Sequence, residues 1–312
     1  MAGKCLVIGD LNIDLVITEI SGTPKLGAEI AAKNHFLDIG GSGGVFSAVL
    51  SELGINTYII SKIGNDYFGD FLKEKLEDYG VKINKIIIES DKETGVTISL
   101  SYTEDKIQVS SVELLKSSNI DDIVLEGLDN IEHVHFSSYY MMTGLHNGYL
   151  ELIDNIKTQY SGITFSMDTN DDPENKWGKE IYNILPNIDI FLVNKKEALL
   201  ITGENNIDDA LIELSKIVKT VIIKLGRNGY IAKDLSGIYK GSAEKVNFKD
   251  STAAGDNFDA GFIYGLMSGL GIKKSLEIAN ICGGKSVEYL GGVGPKEKFI
   301  LIKKLIEKVI LI

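Results

Sequence analysis

Short apolar runs alternate with longer amphipathic stretches along most of the chain. Cys5–Gly9 (CLVIG) is an apolar run ending in glycine, the pattern of a strand buried on both faces. Tyr58–Ile63, His133–Ser137, Thr164–Met167, Ile188–Val193 and Thr220–Leu225 repeat it. Between these runs the spacing changes. Ser47–Leu53, Tyr67–Tyr79, Tyr149–Tyr160, Lys195–Thr202, Asp208–Val218 and Asp256–Ser268 place apolar residues three and four apart, which predicts helices. Strands alternating with helices imply an α/β protein with a mostly parallel central sheet flanked by helices.

Two segments break the alternation. Residues 11–38 hold no long helical pattern. Residues 94–112 (TGVTISLSYTEDKIQVSSV) are rich in Thr, Val, Ile and Tyr, with a charged turn at Glu104-Asp105. That is the pattern of a β-hairpin. Either the two segments meet as a small sheet on one edge of the molecule, or each extends the main sheet. The first arrangement divides the chain into a main α/β domain (1–10, 39–93 and 113–312) and a discontinuous β subdomain (11–38 and 94–112). No repeat, low-complexity stretch or Pro/Ser-rich linker marks a further domain.

The 312 residues, 44% hydrophobic and 24% charged, suit one large domain or a domain with an appendage. The net charge of -12 argues against duplex nucleic acid and anionic membrane as partners, since both need Lys/Arg. It leaves room for a small phosphate-bearing ligand held by backbone N–H groups. Cys5 and Cys282 sit in apolar or small-residue surroundings, so two buried thiols in a reducing compartment are expected. The N-terminal apolar stretch is too short for a signal peptide, and no run of about 18 apolar residues exists. A cytoplasmic protein is expected.

Candidate chemistry gathers in four places. Asp250-Ser251-Thr252-Ala253-Ala254-Gly255-Asp256 leads into a helix. Its small residues allow a ligand to approach the backbone, and N–H groups at a helix start favour developing negative charge. A carboxylate there, Asp256, can take a proton from an attacking hydroxyl; otherwise it is a helix cap. Gly40-Gly41-Ser42-Gly43-Gly44 opens another helix. So costly a run answers either to a ligand or to tight packing. Asn194-Lys195-Lys196-Glu197 follows a buried strand and places Asn194 and Glu197 on one side of a helical turn. The pair can hold Mg²⁺ through water, or form a capping box. Lys224-Leu225-Gly226-Arg227-Asn228-Gly229 is either a phosphate-binding turn or a plain hairpin.

With these residues in this order, the chain resembles the ribokinase-like (PfkB) carbohydrate kinases. DSTAAGD resembles that family's C-terminal signature, GGSGG its glycine pair, NKKE its N-x-x-E motif and KLGRNG its nucleotide turn. Gly64–Gly69 (GNDYFG) resembles its G-x-D-x-F-G segment. The resemblance implies ATP-dependent phosphorylation of a sugar hydroxyl, with Mg²⁺ as cofactor. Asp256 becomes the base, and Ala253, Ala254 and Gly255 the anion hole. Glu197 and Asn194 become Mg²⁺-water and phosphate ligands. Lys224, Gly226 and Gly229 become nucleotide contacts, with Asn280 beside the adenine. Asp14 (in GDLNID), Gly40, Gly41, Ser42, Asp168 and Asn170 become the sugar pocket. The β-rich segments become a lid, through which a homodimer can pair. Asp250 and Ser251 fall near the monovalent-cation (K⁺) loop of some members.

Val45 stands where many members carry Asn, and Ser42 where ribokinases proper carry Lys. Asp168-Thr169-Asn170 runs into Asp171-Asp172-Pro173-Glu174, where acid-sugar kinases of the family usually show an Arg. A neutral sugar or other polyol is therefore expected, with a nucleoside kinase of the same fold or a non-catalytic sugar- or nucleotide-binding protein as alternatives. An apolar pocket face around Val45, with aromatics such as Tyr102 or Phe36, would favour a nucleobase. A ring of Asp14, Asp168 and Asn170 would favour a sugar. Gly283–Ser286 falls inside a helical pattern and lacks the first glycine of a P-loop. His133 and His135 share one strand face, where a structural role is expected rather than zinc.

Overall fold

The computed structural model describes residues 3–102 and 106–311; the expected turn at Glu104-Asp105 lies outside the described residues. The strands are β1 (Lys4–Ile8), β2 (Asn12–Ile20), β3 (Ala32–Gly40), β4 (Asn56–Ile60), β5 (Lys62–Gly64), β6 (Ile87–Glu89), β7 (Val96–Ser101), β8 (Lys106–Ser110), β9 (Ile131–Phe136), β10 (Thr164–Asp168), β11 (Ile190–Asn194), β12 (Thr220–Lys224), β13 (Tyr230–Lys233) and β14 (Ile238–Gly241). The helices are α1 (Ser42–Leu53), α2 (Tyr67–Asp78), α3 (Glu113–Lys116), α4 (Tyr149–Gln159), α5 (Ile181–Ile184), α6 (Lys195–Thr202), α7 (Ile207–Ser215), α8 (Ala254–Met267), α9 (Gly271–Ser286) and α10 (Lys296–Leu311).

An eight-stranded sheet runs in the order β14-β13-β12-β11-β10-β9-β1-β4. Its pairs are parallel from β4 to β12, while β13 and β14 pair antiparallel. Alternate residues of one strand feed two cores, because side chains in a strand point to opposite faces. Cys5 and Val7 pack with α1, α8 and α9, whereas Leu6 and Ile8 pack with α4 and α6. A sheet covered on both faces explains why its strands read as continuous apolar runs.

The two β-rich segments do meet. They form a separate four-stranded sheet, β3-β2-β7-β8. Asp14 is level with Asp38 on β3 and Thr97 on β7, and Thr97 is level with Ser110 on β8. Asn12 donates to Thr97 at 2.7 Å, and the Thr97 and Ser110 hydroxyls lie 2.9 Å apart.

Three expected elements change. Tyr58–Ile63 is not one strand: β4 ends at Ile60, where β1 runs out, and β5 pairs with β6 instead. Lys62 anchors that departure, pairing with Glu89 at 2.9 Å and Asp122 at 2.8 Å. α1 begins at Ser42, inside the glycine run. α8 begins at Ala254, so Asp256 lies within its first turn and is not its cap. Cys5 and Cys282 are buried and unpaired. Among the described residues, no helix is long and apolar enough to cross a membrane.

α8 and α9 pack closely because their facing residues are small. A Cβ at Gly261 would lie 2.8 Å from Cys282 Sγ and 3.0 Å from the Ala279 Cα. Gly261→Val should therefore overpack this contact and cost about 1–3 kcal/mol. A urea unfolding midpoint equal to wild type would show that the helices part without cost.

Candidate active site

The parallel strands end at one edge of the main sheet, the usual place for a site in an open α/β fold. Asp10 follows β1, Asp168 ends β10, Asn194 ends β11 and Lys224 ends β12. All four line one cavity of about 730 Å³. Ala253, Ala254, Gly255 and Asp256 line it from the start of α8. Asn12, Asp14, Thr97, Lys106, Gln108 and Ser110 line it from the four-stranded sheet.

At the start of α8, Ala253 caps the helix in the left-handed region, at φ 53. For a residue with a Cβ this conformation costs on the order of 1 kcal/mol. Asn257 holds it there, donating its side-chain amide to the carbonyls of Ala253 at 2.8 Å and Gly292 at 2.9 Å. Lys298, almost wholly buried, donates to Asn257 Oδ1 at 2.9 Å. Burial pushes Lys298 down to about 8, against Cys282 and Asp38. The Ala254 N–H is already drawn to the Ser251 carbonyl at 3.3 Å. The first-turn N–H groups of Gly255 and Asp256, which have no partner within a helix, are the ones offered to an anion.

The glycine run answers mostly to the protein's own packing. A Cβ at Gly40 would lie 2.3 Å from Asp14 Oδ1, and Gly41, at φ 79, lies against Asn12 and the Asp10 carbonyl. Gly41 and Ser42 line the cavity; Gly40 does not. These glycines let the Asp10–Asp14 segment sit on the start of α1. Gly43 N–H then donates to Asp10 Oδ1 at 3.0 Å.

Lys224 is the central countercharge. It pairs with Asp259 at 2.5 Å, and a Cβ at Gly255 would lie 3.3 Å from its Nζ. Burial works against its charge, but Asp259, Glu197 and Asp168 outweigh that and hold the ammonium well above its ordinary value. Asp256 is held above the usual carboxylate range by burial and by Asp168, with Lys224 and the Ser42 hydroxyl opposing. A raised carboxyl is a better proton acceptor once ionised.

Asn194 and Glu197 form a capping box at the start of α6. Glu197 Oε2 accepts from the Asn194 N–H at 2.8 Å and from Thr169 at 3.2 Å, and Oε1 accepts from the Asn194 amide. Glu197 is buried yet lines the cavity. Little of its oxygen remains free, which fits holding a metal's water better than direct ligation.

The other expected residues fall as follows. Asn170 lines the cavity and donates to Ser42 and Ser138, each at 3.2 Å. Gly226 lines it and Gly229 does not; the turn between them joins β12 to antiparallel β13. Asn280 lies outside the cavity lining and donates to the Ser242 carbonyl at 3.0 Å. Ser251 lines the cavity, but Asp250 does not. Asp250 accepts from Thr252 N–H at 3.0 Å, from the Thr252 hydroxyl at 2.8 Å and from Gly291 N–H at 3.1 Å.

Sequence reasoning missed Asp10, Asn12 and the residues of β7 and β8. A signal was present on β8. Lys106, Gln108 and Ser110 line the cavity, while Ile107 and Val109 face out, 41% and 67% exposed. Strands normally turn their apolar residues inward; here the polar set faces inward, as a strand covering a polar site requires.

The pattern described as pfkB family carbohydrate kinase matches residues 2–298. The chain belongs to that family. It is a phosphotransferase acting on a sugar or nucleoside hydroxyl, and its family uses ATP with Mg²⁺. An ATP-dependent 6-phosphofructokinase of Thermoanaerobacterium thermosaccharolyticum is 25% identical, over 92% of this chain and 89% of that one. A 5-dehydro-2-deoxygluconokinase of Geobacillus thermodenitrificans is 26% identical, over 87% of this chain and 83% of that one. A putative ribokinase II from E. coli, solved in complex with ATP and Mg²⁺, superposes with a TM-score of 0.85 at 21% identity, covering 98% and 99% of the two chains. The names differ in the acceptor and agree on the kinase.

In this pfkB-family kinase the Lys224–Asp259 pair carries a structural prediction. Asp259 is wholly buried, and its Oδ1 finds no donor among the described residues. Lys224→Met should cost about 3–5 kcal/mol by leaving that carboxyl unpaired. Lys224→Met combined with Asp259→Leu should recover much of the loss. Equal unfolding midpoints for both variants would show that the pair is not coupled.

Proposed function

We propose that this kinase transfers the terminal phosphoryl group of ATP to a hydroxyl of a small neutral sugar or polyol, with Asp256 as the base. The lining of the cavity carries the reading. Asp14, Asp168 and Asn170 lie together with Asn12, Thr97, Gln108 and Ser110, a wall of hydroxyl-binding groups. Val45, Val112 and Met141 give the cavity some apolar lining, but Phe36 and Tyr102, the aromatics that would stack a nucleobase, are not part of it. The Tyr102 hydroxyl instead donates to the Gly22 carbonyl at 2.9 Å.

Asp256 accepts the hydroxyl proton as the acceptor oxygen attacks the terminal phosphorus, and the bond to the bridging oxygen of ADP breaks. The N–H groups of Gly255 and Asp256 and the Lys224 ammonium face the charge that develops. Asp10, Asp168, Asp171, Glu197 and Asp256 outnumber Lys106 and Lys224 around the cavity. A bare triphosphate would be repelled, so a divalent cation bound to the phosphates suits the charge balance. Glu197 and Asn194 are the residues to hold its water shell, and Mg²⁺ there neutralises phosphate charge. Gly226, which lines the cavity, and Gly229, which shapes its turn, would contact the nucleotide, and Asn280, bonded to the Ser242 carbonyl, would lie on the adenine side. A K⁺ ion at Asp250 and Ser251 would compete with the bonds that already tie Asp250 to Thr252 and Gly291.

Residues 11–38 and 94–112 act as a lid that keeps water from the phosphoryl group. Its outer face exposes Ile98, Ile107 and Val109, where a second copy of the chain would pair.

Purified protein with Mg-ATP should release ADP with at least one neutral member of a broad sugar and polyol panel. Turnover only with nucleosides, or with nothing, would overturn the reading. Asp256→Asn should lower kcat by roughly 100- to 10,000-fold, the usual worth of a general base, while ATP binding persists; wild-type turnover would remove Asp256 from that role.

The acceptor site should also respond to pH. Burial pushes Asp14 up to about 8, with Lys106 opposing and Asp38, Asp256 and Asp10 adding. As a hydroxyl acceptor it improves on ionising, so the acceptor KM should fall as pH rises through about 8. Asp14→Asn should flatten that dependence. A slope unchanged in the variant would assign it elsewhere.

A further inference from the structure

The two histidines of β9 form part of a continuous polar chain through the sheet. His133 is level with Thr164 on β10, and His135 with Ser166. Thr164 Oγ1 lies 2.7 Å from His133 Nδ1, and His133 Nε2 lies 2.7 Å from Ser166 Oγ. Ser166 Oγ lies 2.8 Å from His135 Nδ1, and His135 Nε2 lies 3.2 Å from Asp168 Oδ2. His133, Ser166, His135 and Asp168 are buried, and Thr164 at the far end is exposed. The His135 ring is fixed by stacking on Phe46 of α1, with centroids 3.9 Å apart.

The end of the chain sets the direction of its protons. Burial alone would raise Asp168, but the His135 hydrogen bond, the Lys224 charge and the Ser138 N–H hold it below the usual carboxylate range. An ionised carboxylate only accepts, so His135 Nε2 carries a proton. In the arrangement proposed below, that is the ring's one proton, and Nδ1 accepts from Ser166. Ser166 accepts from His133 Nε2, and His133 Nδ1 accepts from Thr164, whose hydroxyl lies 2.7 Å from that nitrogen and 3.3 Å from its other acceptor, the Glu132 carbonyl. Burial above all pushes His133 down to about 3, so that ring stays neutral. Each donor in this chain points toward Asp168, and such chains strengthen one another.

Asp168 passes the constraint on. It also accepts from the Ser137 hydroxyl at 3.0 Å and the Ser138 N–H at 2.7 Å. Ser138 is held in the left-handed region, at φ 58. From there its hydroxyl donates to Asp10 at 2.7 Å and accepts from Asn170 at 3.2 Å. Asp10 and Asn170 both line the acceptor half of the cavity.

We propose that His135 is a positioning residue for the acceptor: through the chain Thr164–His133–Ser166–His135 it fixes the Asp168 carboxylate, which in turn sets Ser138, Asp10 and Asn170. The kinetic part of this proposal rests on the kinase reading above; the proton arrangement does not.

Two measurements test it. The chain has four histidines, so their ring nitrogens can be assigned by ¹⁵N NMR. His133 and His135 should both be neutral Nε2–H tautomers at pH 8. An Nδ1–H tautomer or an imidazolium at His135 would overturn the arrangement whether or not any acceptor is turned over. In kinetics on the best acceptor of the panel, His135→Leu should raise the acceptor KM about tenfold or more, the worth of one hydrogen bond to a charged group. The KM for ATP should stay within about twofold, since no member of the chain is placed on the nucleotide. His135→Gln, whose amide can still donate to Asp168, should recover most of the acceptor KM. An unchanged acceptor KM in His135→Leu, or an equal rise in both KM values, would overturn the positioning role.

Discussion

Asp168 at the end of β10, Glu197 on α6 and Asp256 and Asp259 on α8 gather at one edge of the main sheet around Lys224, three of them buried and Asp256 partly so. Charges brought out of water repel or neutralise unless a countercharge is close. Lys224 ends a buried strand, β12, so its backbone is fixed by the pairs Asn194↔Lys224 and Lys224↔Tyr230. Its ammonium reaches Asp259 on α8 and lies beside Gly255. The helix that presents the N–H groups of Gly255 and Asp256 is thereby tied to the sheet through the same charge that faces the cavity. Structure and electrostatics here are one constraint, and neither the anion-facing N–H groups nor the raised carboxyl of Asp256 can be separated from it.

Around that constraint the site divides in two. The half near Lys224 and α8 is governed by charge and by backbone N–H groups, which recognise phosphate without regard to what accepts it. The other half is governed by hydroxyls, amides and carboxyls held by short hydrogen bonds. Ser138 links Asp10 to Asn170, Thr97 links Asn12 to Ser110, and Asn170 reaches Ser42. Those contacts discriminate by donor and acceptor placement, and they change with single side chains. The division accounts for relatives that share the kinase and differ in the named acceptor.

Much of this was legible in the sequence because it is local. Continuous apolar runs gave the parallel strands, and three- and four-residue spacing gave most helices. Thr94–Val112 gave β7 and β8, apart from its turn. The motif residues reach one cavity because each stands near the end of an element: Lys224 ends β12, Glu197 and Asp256 lie in the first turns of α6 and α8, and Asp14 is the third residue of β2. What was not legible depended on contacts distant in sequence. The end of β4 at Ile60 is set by where β1 stops, which no local pattern records. The glycine run left ligand approach and tight packing open, and the approach of Asp10–Asp14 to α1, distant in sequence, is what adds weight to packing. Lys106, Gln108 and Ser110 carried a signal, since their strand has its apolar residues at the outward positions. It could be read only once the strand's two sides were known.

His133 and His135 show the same limit from the other direction. As a sequence pattern, two imidazoles on a strand face suggest either a metal or nothing. Their meaning comes from β10, where Thr164, Ser166 and Asp168 stand at matching register and supply an alcohol, an alcohol and a carboxylate. Parallel pairing converts two alternating patterns, each unremarkable alone, into one chain of hydrogen bonds that no segment contains by itself. A buried row of this kind is tolerated only if every member is satisfied, because an unpartnered polar group in low dielectric costs more than the bond gains. The register of β9 against β10 and the orientation of Asp168 are therefore fixed together. The polar half of the site inherits its order from the sheet, as the charged half inherits its order from Lys224.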